Sequence, residues 1–266
     1  MHGALADVWA SGDAYEPYVG RWSRPVAREF LRWLAAAPGG SWLDVGCGTG
    51  ALTEAILGAA APARVEGVDP SLPYVLFARR RVRDGRAAFL VADARSLALR
   101  ERSVDVAVSA LALNFIPQPD VALGEMARVT RTGGIVAAYV WDYAGGMQLM
   151  RYFWDAAVAL DAGARELDEA RRFPICHPAA LEALFRAARL EGVESLAIDV
   201  PTRFRDFDDY WTPFLGGQGP APSYAMGLSE ERRAALRERI RTALPVAADG
   251  AIDLVARAWA VRGRRG

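Results

Sequence analysis

A doubly wound α/β sheet is predicted for this chain by three observations. Short apolar runs alternate with stretches of helical periodicity between residues 41 and 141. The first run, Ser41 to Val45, passes into a helix-like run from Ala51 through three glycines at alternate positions, Gly46, Gly48 and Gly50. Three successive runs also carry an acid at their ends, Asp44, Asp69 and Asp93. In open α/β sheets that is the end of the strand where ligands bind.

The glycine turn is the most telling element. Alternating glycines let the backbone turn tightly and approach a ligand, because no Cβ intervenes. A helix N-terminus just after the turn offers unpaired N–H groups to a polar group. Leu43-Asp44-Val45-Gly46-Cys47-Gly48-Thr49-Gly50 therefore reads as a strand–turn–helix cradle for a nucleotide-like ligand. Gly46, Gly48 and Ala51 also fit the looser dinucleotide fingerprint, with Asp69 as the acid roughly 20 residues on. Asp44 weighs against a pyrophosphate there, since its carboxylate would repel one and attract an ammonium or sulfonium.

The segment resembles the first motif of the class I S-adenosylmethionine-dependent methyltransferases, the E/D-x-G-x-G-x-G loop, and the following elements keep that family's order. Arg64 to Asp69 reads as a second strand. Ser71 starts a helix with Leu72, Val75, Leu76 and Val82 on one face. Ala87 to Ala94 gives a third strand and Ser103 to Leu113 a fourth. Ile135 to Trp141 is the fifth, after a turn at Arg131-Thr132-Gly133-Gly134. The helix segment Glu125-Met126-Ala127-Arg128-Val129 is similar to the E-x-x-R-V of ubiquinone and menaquinone C-methyltransferases.

The resemblance implies a seven-stranded sheet in the order 3-2-1-4-5-7-6 with strand 7 antiparallel, and S-adenosylmethionine as cofactor. It also implies roles for residues. Asp69, with Pro70 beside it, would accept the ribose hydroxyls. Asp93 would meet the adenine amino group and the Ala94 amide a ring nitrogen. Asp44, Gly46, Cys47, Gly48, Gly50, Ser109 and Ala110 would surround the same crevice. Tyr15, Tyr18, Trp22 and Trp141 are candidates to face a sulfonium through their rings, with core packing as the alternative. Arg21 is a candidate partner for the methionyl carboxylate, with a surface arginine as the alternative.

Around this core the composition changes. Residues 1 to 37 read as an N-terminal cap rich in aromatics, ending in an amphipathic helix marked by Val26, Phe30, Trp33, Leu34 and Ala37. Residues 38 to 142 are the cofactor-binding core of a single methyltransferase domain spanning 1 to 266. Residues 143 to 190 read as a helical insertion, with Met147, Met150, Phe153, Trp154, Ala157 and Val158 at helical spacing. There His177 caps a further helix carrying Leu181, Leu184, Phe185 and Ala188. Val193 to Val200 and Ala251 to Val261 read as the last two strands. Between them the family usually has a short hairpin, whereas here residues 201 to 250 hold Phe204, Phe207, Tyr210, Trp211 and Phe214, a Gly216-Gly217-Gln218-Gly219 stretch, and a helix from Ser229 striped by Leu236 and Ile240. Such a connection reads as a lid; a packed subdomain or a homodimer contact is the alternative.

Methyl transfer is an in-line displacement, so the protein mainly aligns and excludes water. A base is needed only where the nucleophile must lose a proton. Asn114 stands at the end of strand four, where relatives often carry histidine, leaving Asp142 and His177 as the other candidates. Asn114, Trp141, Tyr210 and Trp211 are read as substrate-facing.

Composition narrows the remainder. The chain has 266 residues, 52% hydrophobic, with zero net charge, enough for one large core and without a basic track for nucleic acid. N-P-P-Y and P-C motifs are absent, which disfavours DNA bases and points to a small-molecule acceptor, methylated on O, N or C. All 32 basic residues are arginine, which excludes a Schiff-base lysine and a Walker-type phosphate loop. The two cysteines, Cys47 and Cys176, form neither a disulfide framework nor a zinc cluster, and no metal site is expected. Without an apolar run of membrane length or a signal-peptide pattern, the expectation is a soluble cytoplasmic protein. A non-catalytic S-adenosylmethionine-binding protein and a nicotinamide-dependent oxidoreductase are the rival readings.

Overall fold

The computed structural model describes residues 20–216 and 219–266. Tyr15, Tyr18, most of the N-terminal cap and Gly217-Gln218 lie outside the described residues. In chain order the elements begin with α1 (Arg21–Leu34), β1 (Ser41–Val45), α2 (Ala51–Ala59), β2 (Arg64–Asp69), α3 (Leu72–Arg81), β3 (Ala87–Val91) and β4 (Val104–Ala110). Next come α4 (Pro119–Val129), β5 (Thr130–Trp141), α5 (Gln148–Leu160), α6 (Glu169–Arg172), α7 (Pro178–Ala187) and β6 (Leu190–Phe204). The chain closes with α8 (Phe207–Trp211), α9 (Pro220–Gly227), α10 (Glu230–Ala243) and β7 (Ile252–Arg265). The seven strands lie in the order β3-β2-β1-β4-β5-β7-β6. The pairs among β1 to β5 are parallel and β7 runs antiparallel to β5, as the resemblance implies.

Residues 23–141, 175–198 and 258–266 form one compact unit. Its central strands are apolar on both faces because helices cover both sides of a parallel sheet: Leu43, Val45, Ala107, Val108, Val136 and Ala138 are all fully buried. Helix α1 lays Val26, Ala27, Phe30 and Leu34 inward, with the Phe30 ring 4.8 Å from that of Tyr139. It stops at Leu34, where Ala35 takes a φ of 46°, so Ala37 lies beyond it and is exposed.

Two sequence expectations need correction. In α3 the inward stripe is Tyr74, Val75 and Ala78, whereas Leu72 and Leu76 are exposed. A proline in the first turn sets where the helix begins, and Leu72 and Leu76, one turn apart, share the outward face. Arg131 to Gly134 is not a turn ahead of strand five but an excursion inside β5. Val104 pairs with Thr130 and Val106 with Ile135, so one residue of β4 faces four of β5. Gly134 is needed there, since a Cβ would come within 2.6 Å of Thr130 Cγ2 and 2.7 Å of the Asp105 carbonyl.

The second unit comprises the described part of 1–22 with 142–174 and 199–257. Segments read from sequence as separate insertions thus share one core, while α7 belongs to the sheet unit. Leu149, Met150, Phe153, Trp154 and Ala157 form the buried stripe of α5, and α10 packs against it through its own unit. An aromatic cluster fills the middle: Phe153 stacks on Phe214 at 4.6 Å, Tyr210 meets Phe214 at 5.5 Å and Phe204 at 5.3 Å. The Tyr210 hydroxyl donates to the Leu149 carbonyl at 2.7 Å. Ser229 caps α10 by accepting from the Arg232 amide, and Leu236 and Ile240 are buried as their spacing predicts.

Candidate functional site

The glycine turn follows β1, whose Asp44 is level with Gly67 of β2 and Val108 of β4. The Gly46 and Cys47 amides both donate to the Val68 carbonyl, at 2.8 and 3.0 Å, which folds the turn back over β2. All three glycines are left-handed, at φ 73°, 50° and 83°, but each lacks a side chain for a different reason. A Cβ on Gly46 would overlap that of Ala112. A Cβ on Gly50 would press on Val82, Ala78 and Phe89 at 3.1 to 3.5 Å. Around Gly48 nothing lies within 4 Å, so only there does the missing side chain leave open space. Cys47 turns inward and packs with Val75, Ala78 and Phe89; burial pushes its thiol pKa up.

Two acids organise the turn. Asp69, the last residue of β2, accepts the Gly48 amide on Oδ2 at 3.0 Å and the Ser71 amide on Oδ1 at 2.8 Å. Each oxygen keeps a lone pair for a further donor. Burial raises its pKa, and the two amide hydrogen bonds oppose that rise. Asp44 is fully buried, and its Oδ2 accepts the Thr53 hydroxyl at 2.7 Å. Its Oδ1 has no partner. Burial moves its pKa up to about 7, the Thr53 bond working against this and the Asp69 charge adding to it. Thr53 was missed in the sequence; the available signal was a hydroxyl in the first turn of α2, beside Glu54 and among apolar residues.

Asp93 follows β3 and differs. It is exposed, and Arg95 forks both its oxygens, with Arg95 Nη2 2.6 Å from Oδ2. That guanidinium and the Arg95 amide hold its pKa down at about 2. The neighbouring Ala94 is buried. The stretch after Asp93 is pinned from below by α4: Glu125 accepts the Leu97 amide at 2.8 Å, while Arg128 pairs with Glu125 and donates to the Leu97 and Leu99 carbonyls at 3.0 Å. The E-x-x-R-V segment thus holds the connection from β3 to β4.

The β4 end completes that edge. Ser109 is buried with an unpartnered Oγ, and Ala110 is half-buried. Leu111 follows at φ 55°, an unfavourable conformation for a branched side chain, and Ala112 is the residue against Gly46. Asn114 lies in a short 3₁₀ turn over Leu113–Phe115, buried, with neither Oδ1 nor Nδ2 partnered. Buried side-chain amides are normally satisfied within the protein. Asp44, Gly46, Gly48, Asp69, Pro70, Asp93, Ala94, Ser109, Ala110 and Asn114 all stand at the carboxyl ends of β1 to β4.

Other sequence-picked residues are elsewhere. Trp141 is buried at the end of β5. Asp142 opens the second unit, its oxygens accepting the Gly145 and Gly146 amides at 3.2 and 2.8 Å. His177 precedes α7 at the cap position, but its side chain makes no cap bond and is exposed; Pro178 begins the helix. In the second unit Arg21 pairs with Asp209 at 3.0 Å and lies over the rings of Trp22 and Phe204, 4.6 Å from each. Tyr210 and Trp211 are buried in the aromatic cluster.

The methyltransferase domain family matches residues 43–138. The methyltransferase GfsG of Streptomyces halstedii is 30% identical over 224 residues, covering 81% of this chain and 77% of that protein. With the strand order and the glycine turn already described, this places the chain in the class I S-adenosylmethionine-dependent methyltransferases, and S-adenosylmethionine is its cofactor. The ubiquinone/menaquinone biosynthesis C-methyltransferase UbiE of Syntrophotalea carbinolica is 35% identical over 116 residues, 43% of this chain and 47% of that protein. The matched stretch spans 36 to 50% of the length of several such curated relatives. Phosphoethanolamine N-methyltransferase 2 of Haemonchus contortus shares the fold at a TM-score of 0.60 and 17% identity, covering 96% of this chain and 56% of that one. Among the described residues no helix is long and apolar enough to cross a membrane.

Proposed function

We propose that this chain catalyses transfer of a methyl group from S-adenosylmethionine to an O, N or C nucleophile of a small molecule. One observation supports this reading above the rest: buried polar atoms without partners, Asp44 Oδ1, Ser109 Oγ and the Asn114 amide, gather at the carboxyl end of the central strands beside the open space at Gly48. A carboxylate oxygen with a free lone pair suits a cation, and a glycine with no neighbour suits a ligand lying against backbone. The residues present therefore fit the cofactor. When bound, it supplies a methyl carbon made electrophilic by its sulfonium.

In this reading Asp69 holds the ribose, and Asp44 faces the positive end of the ligand. Asp93 and Ala94 flank the adenine. Asn114 positions the acceptor by hydrogen bonds. A carboxamide takes up no proton near neutral pH, so Asn114 aligns the nucleophile and leaves its ionisation to the nucleophile's own chemistry. This reading uses neither Asp142, which holds the Gly145–Gly146 turn of the helical unit, nor the exposed His177 as a base, and rests on positioning. The family match stops at residue 138 and leaves the acceptor open among O, N and C nucleophiles.

Calorimetry and methyl transfer test this together. The protein should bind S-adenosylmethionine with micromolar affinity, and Asp69→Ala should weaken binding by roughly 1–3 kcal/mol through lost charge-assisted bonds. Labelled methyl should pass to at least one small hydroxyl, amine or active-methylene compound. Tight cofactor binding with no transfer to any acceptor class would turn the reading into that of a binding protein.

A further inference from the structure

Tyr74 is a buried phenol with an unused hydroxyl. It sits on α3 with 9% of its surface exposed, and its hydroxyl has no hydrogen-bond partner. Its helix neighbours explain why the ring is inside: Val75 and Ala78 join the cluster with Cys47 and Phe89. They do not explain the oxygen, because a phenylalanine would fill the same volume without burying a polar group. A buried hydroxyl left unsatisfied lowers stability.

Its surroundings indicate the kind of partner. The residue starts one turn after Ser71, whose amide binds Asp69, and it feels the Asp69 charge. Burial, with that negative neighbour adding to it, raises the phenol pKa, so the hydroxyl keeps its proton and acts as a donor. Asp69 can satisfy donors on a ligand; Tyr74 can satisfy an acceptor on the same ligand. A ribose offers hydroxyl oxygens and an adenine offers ring nitrogens, and both belong to one half of the cofactor.

We infer that Tyr74 is a specificity-determining residue of the cofactor site, its hydroxyl donating a hydrogen bond to an acceptor atom of the nucleoside half of S-adenosylmethionine, beside Asp69. The inference rests on S-adenosylmethionine being the cofactor. Tyr74 supplies a contact that the three strand-end acids do not, because all of them accept rather than donate.

The test is Tyr74→Phe, read by calorimetry and by thermal unfolding without ligand. Affinity should fall about tenfold, equivalent to about 1.4 kcal/mol. It should fall by the same factor for S-adenosylmethionine, S-adenosylhomocysteine and 5′-methylthioadenosine, which share the nucleoside and differ beyond it. The unliganded variant should be as stable as the parent or more so, since it no longer buries an unpartnered hydroxyl. A merely structural tyrosine would instead lower the melting temperature. Tyr74→Leu, which also removes the ring, separates hydroxyl from ring: it should lose at least as much affinity as the phenylalanine variant. Unchanged affinity of Tyr74→Phe for all three ligands overturns the inference, as does a loss confined to ligands carrying the methionine portion. Failure of the parent protein to bind any of the three would instead strike the cofactor assignment itself.

Discussion

Asp44 in the sheet unit and Glu169 in the helical unit are both fully or almost fully buried acids, and burial moves them in the same direction, to about 7 and about 8. Each accepts one neutral side-chain donor, the Thr53 hydroxyl in one case and the Trp154 indole N–H in the other. The difference is in what remains. Glu169 is enclosed by bonded neighbours: Asp168 caps α6 and pairs with Arg151 at 2.9 Å, and Trp154 packs against Tyr224 at 5.6 Å. Asp44, in β1 just before the turn of left-handed glycines, keeps one oxygen bare. Equal burial therefore leaves two different states, one acid closed into packing and one with an oxygen unpartnered.

The comparison breaks most visibly by removing Trp154. Trp154→Ala opens a cavity and strips Glu169 of its donor, so denaturant unfolding should show a loss of about 3–5 kcal/mol. Calorimetry on the folded fraction should still find S-adenosylmethionine affinity within about twofold of the parent. A collapse of affinity in a folded variant would show that the helical unit is part of the cofactor site.

The glycine turn sharpens it next. Gly48→Val should abolish cofactor binding while circular dichroism stays native, its side chain entering open space at a stability cost set by the left-handed φ of 50°. Gly46→Ala should do the converse, lowering stability by about 1–3 kcal/mol through overlap with Ala112. Normal binding by folded Gly48→Val would remove the cradle assignment.

The smallest effect is in pH. Ionised Asp44 attracts a cationic ligand and protonated Asp44 does not, so affinity should rise from pH 6 to pH 8, by no more than about tenfold per unit. Asp44→Asn should bind more weakly with a flat profile. Both acids hold their protons more tightly folded than unfolded. Their contribution to unliganded stability is therefore full below the unfolded carboxyl pKa of about 4 and declines as pH climbs towards 7 for Asp44 and 8 for Glu169. Thermal unfolding across that range checks the sign, and Glu169→Gln should make the decline shallower between about 4 and 7 and abolish it between 7 and 8.

What was legible in the sequence was local. Strands β1 to β5 announce themselves by apolar runs that end in acids and glycines, and their order follows from the family those motifs resemble. The helical unit was not legible as a unit, because 142–174 and 199–257 join through rings such as Phe153 and Phe214 that are far apart in the chain. Nothing in the local spacing of Tyr210 announces that its hydroxyl is taken by Leu149. Leu72 and Leu76 misled for another reason: helical periodicity identifies a face, and only the entry geometry after Asp69 decides which face turns inward. The partners of individual polar atoms, Thr53 on Asp44 and Arg95 on Asp93, are tertiary facts. They separate two acids that look equivalent in sequence.

The guanidinium groups that fork Asp93 and pin the loop at Leu97 and Leu99 belong to a chain without a single side-chain amine. The charge of those arginines is constant throughout the range in which living cells vary their acidity, and acetylation has no side-chain amine on which to erase it. Proton exchange that accompanies cofactor capture, read in buffers of different ionisation enthalpy, therefore carries no contribution from them.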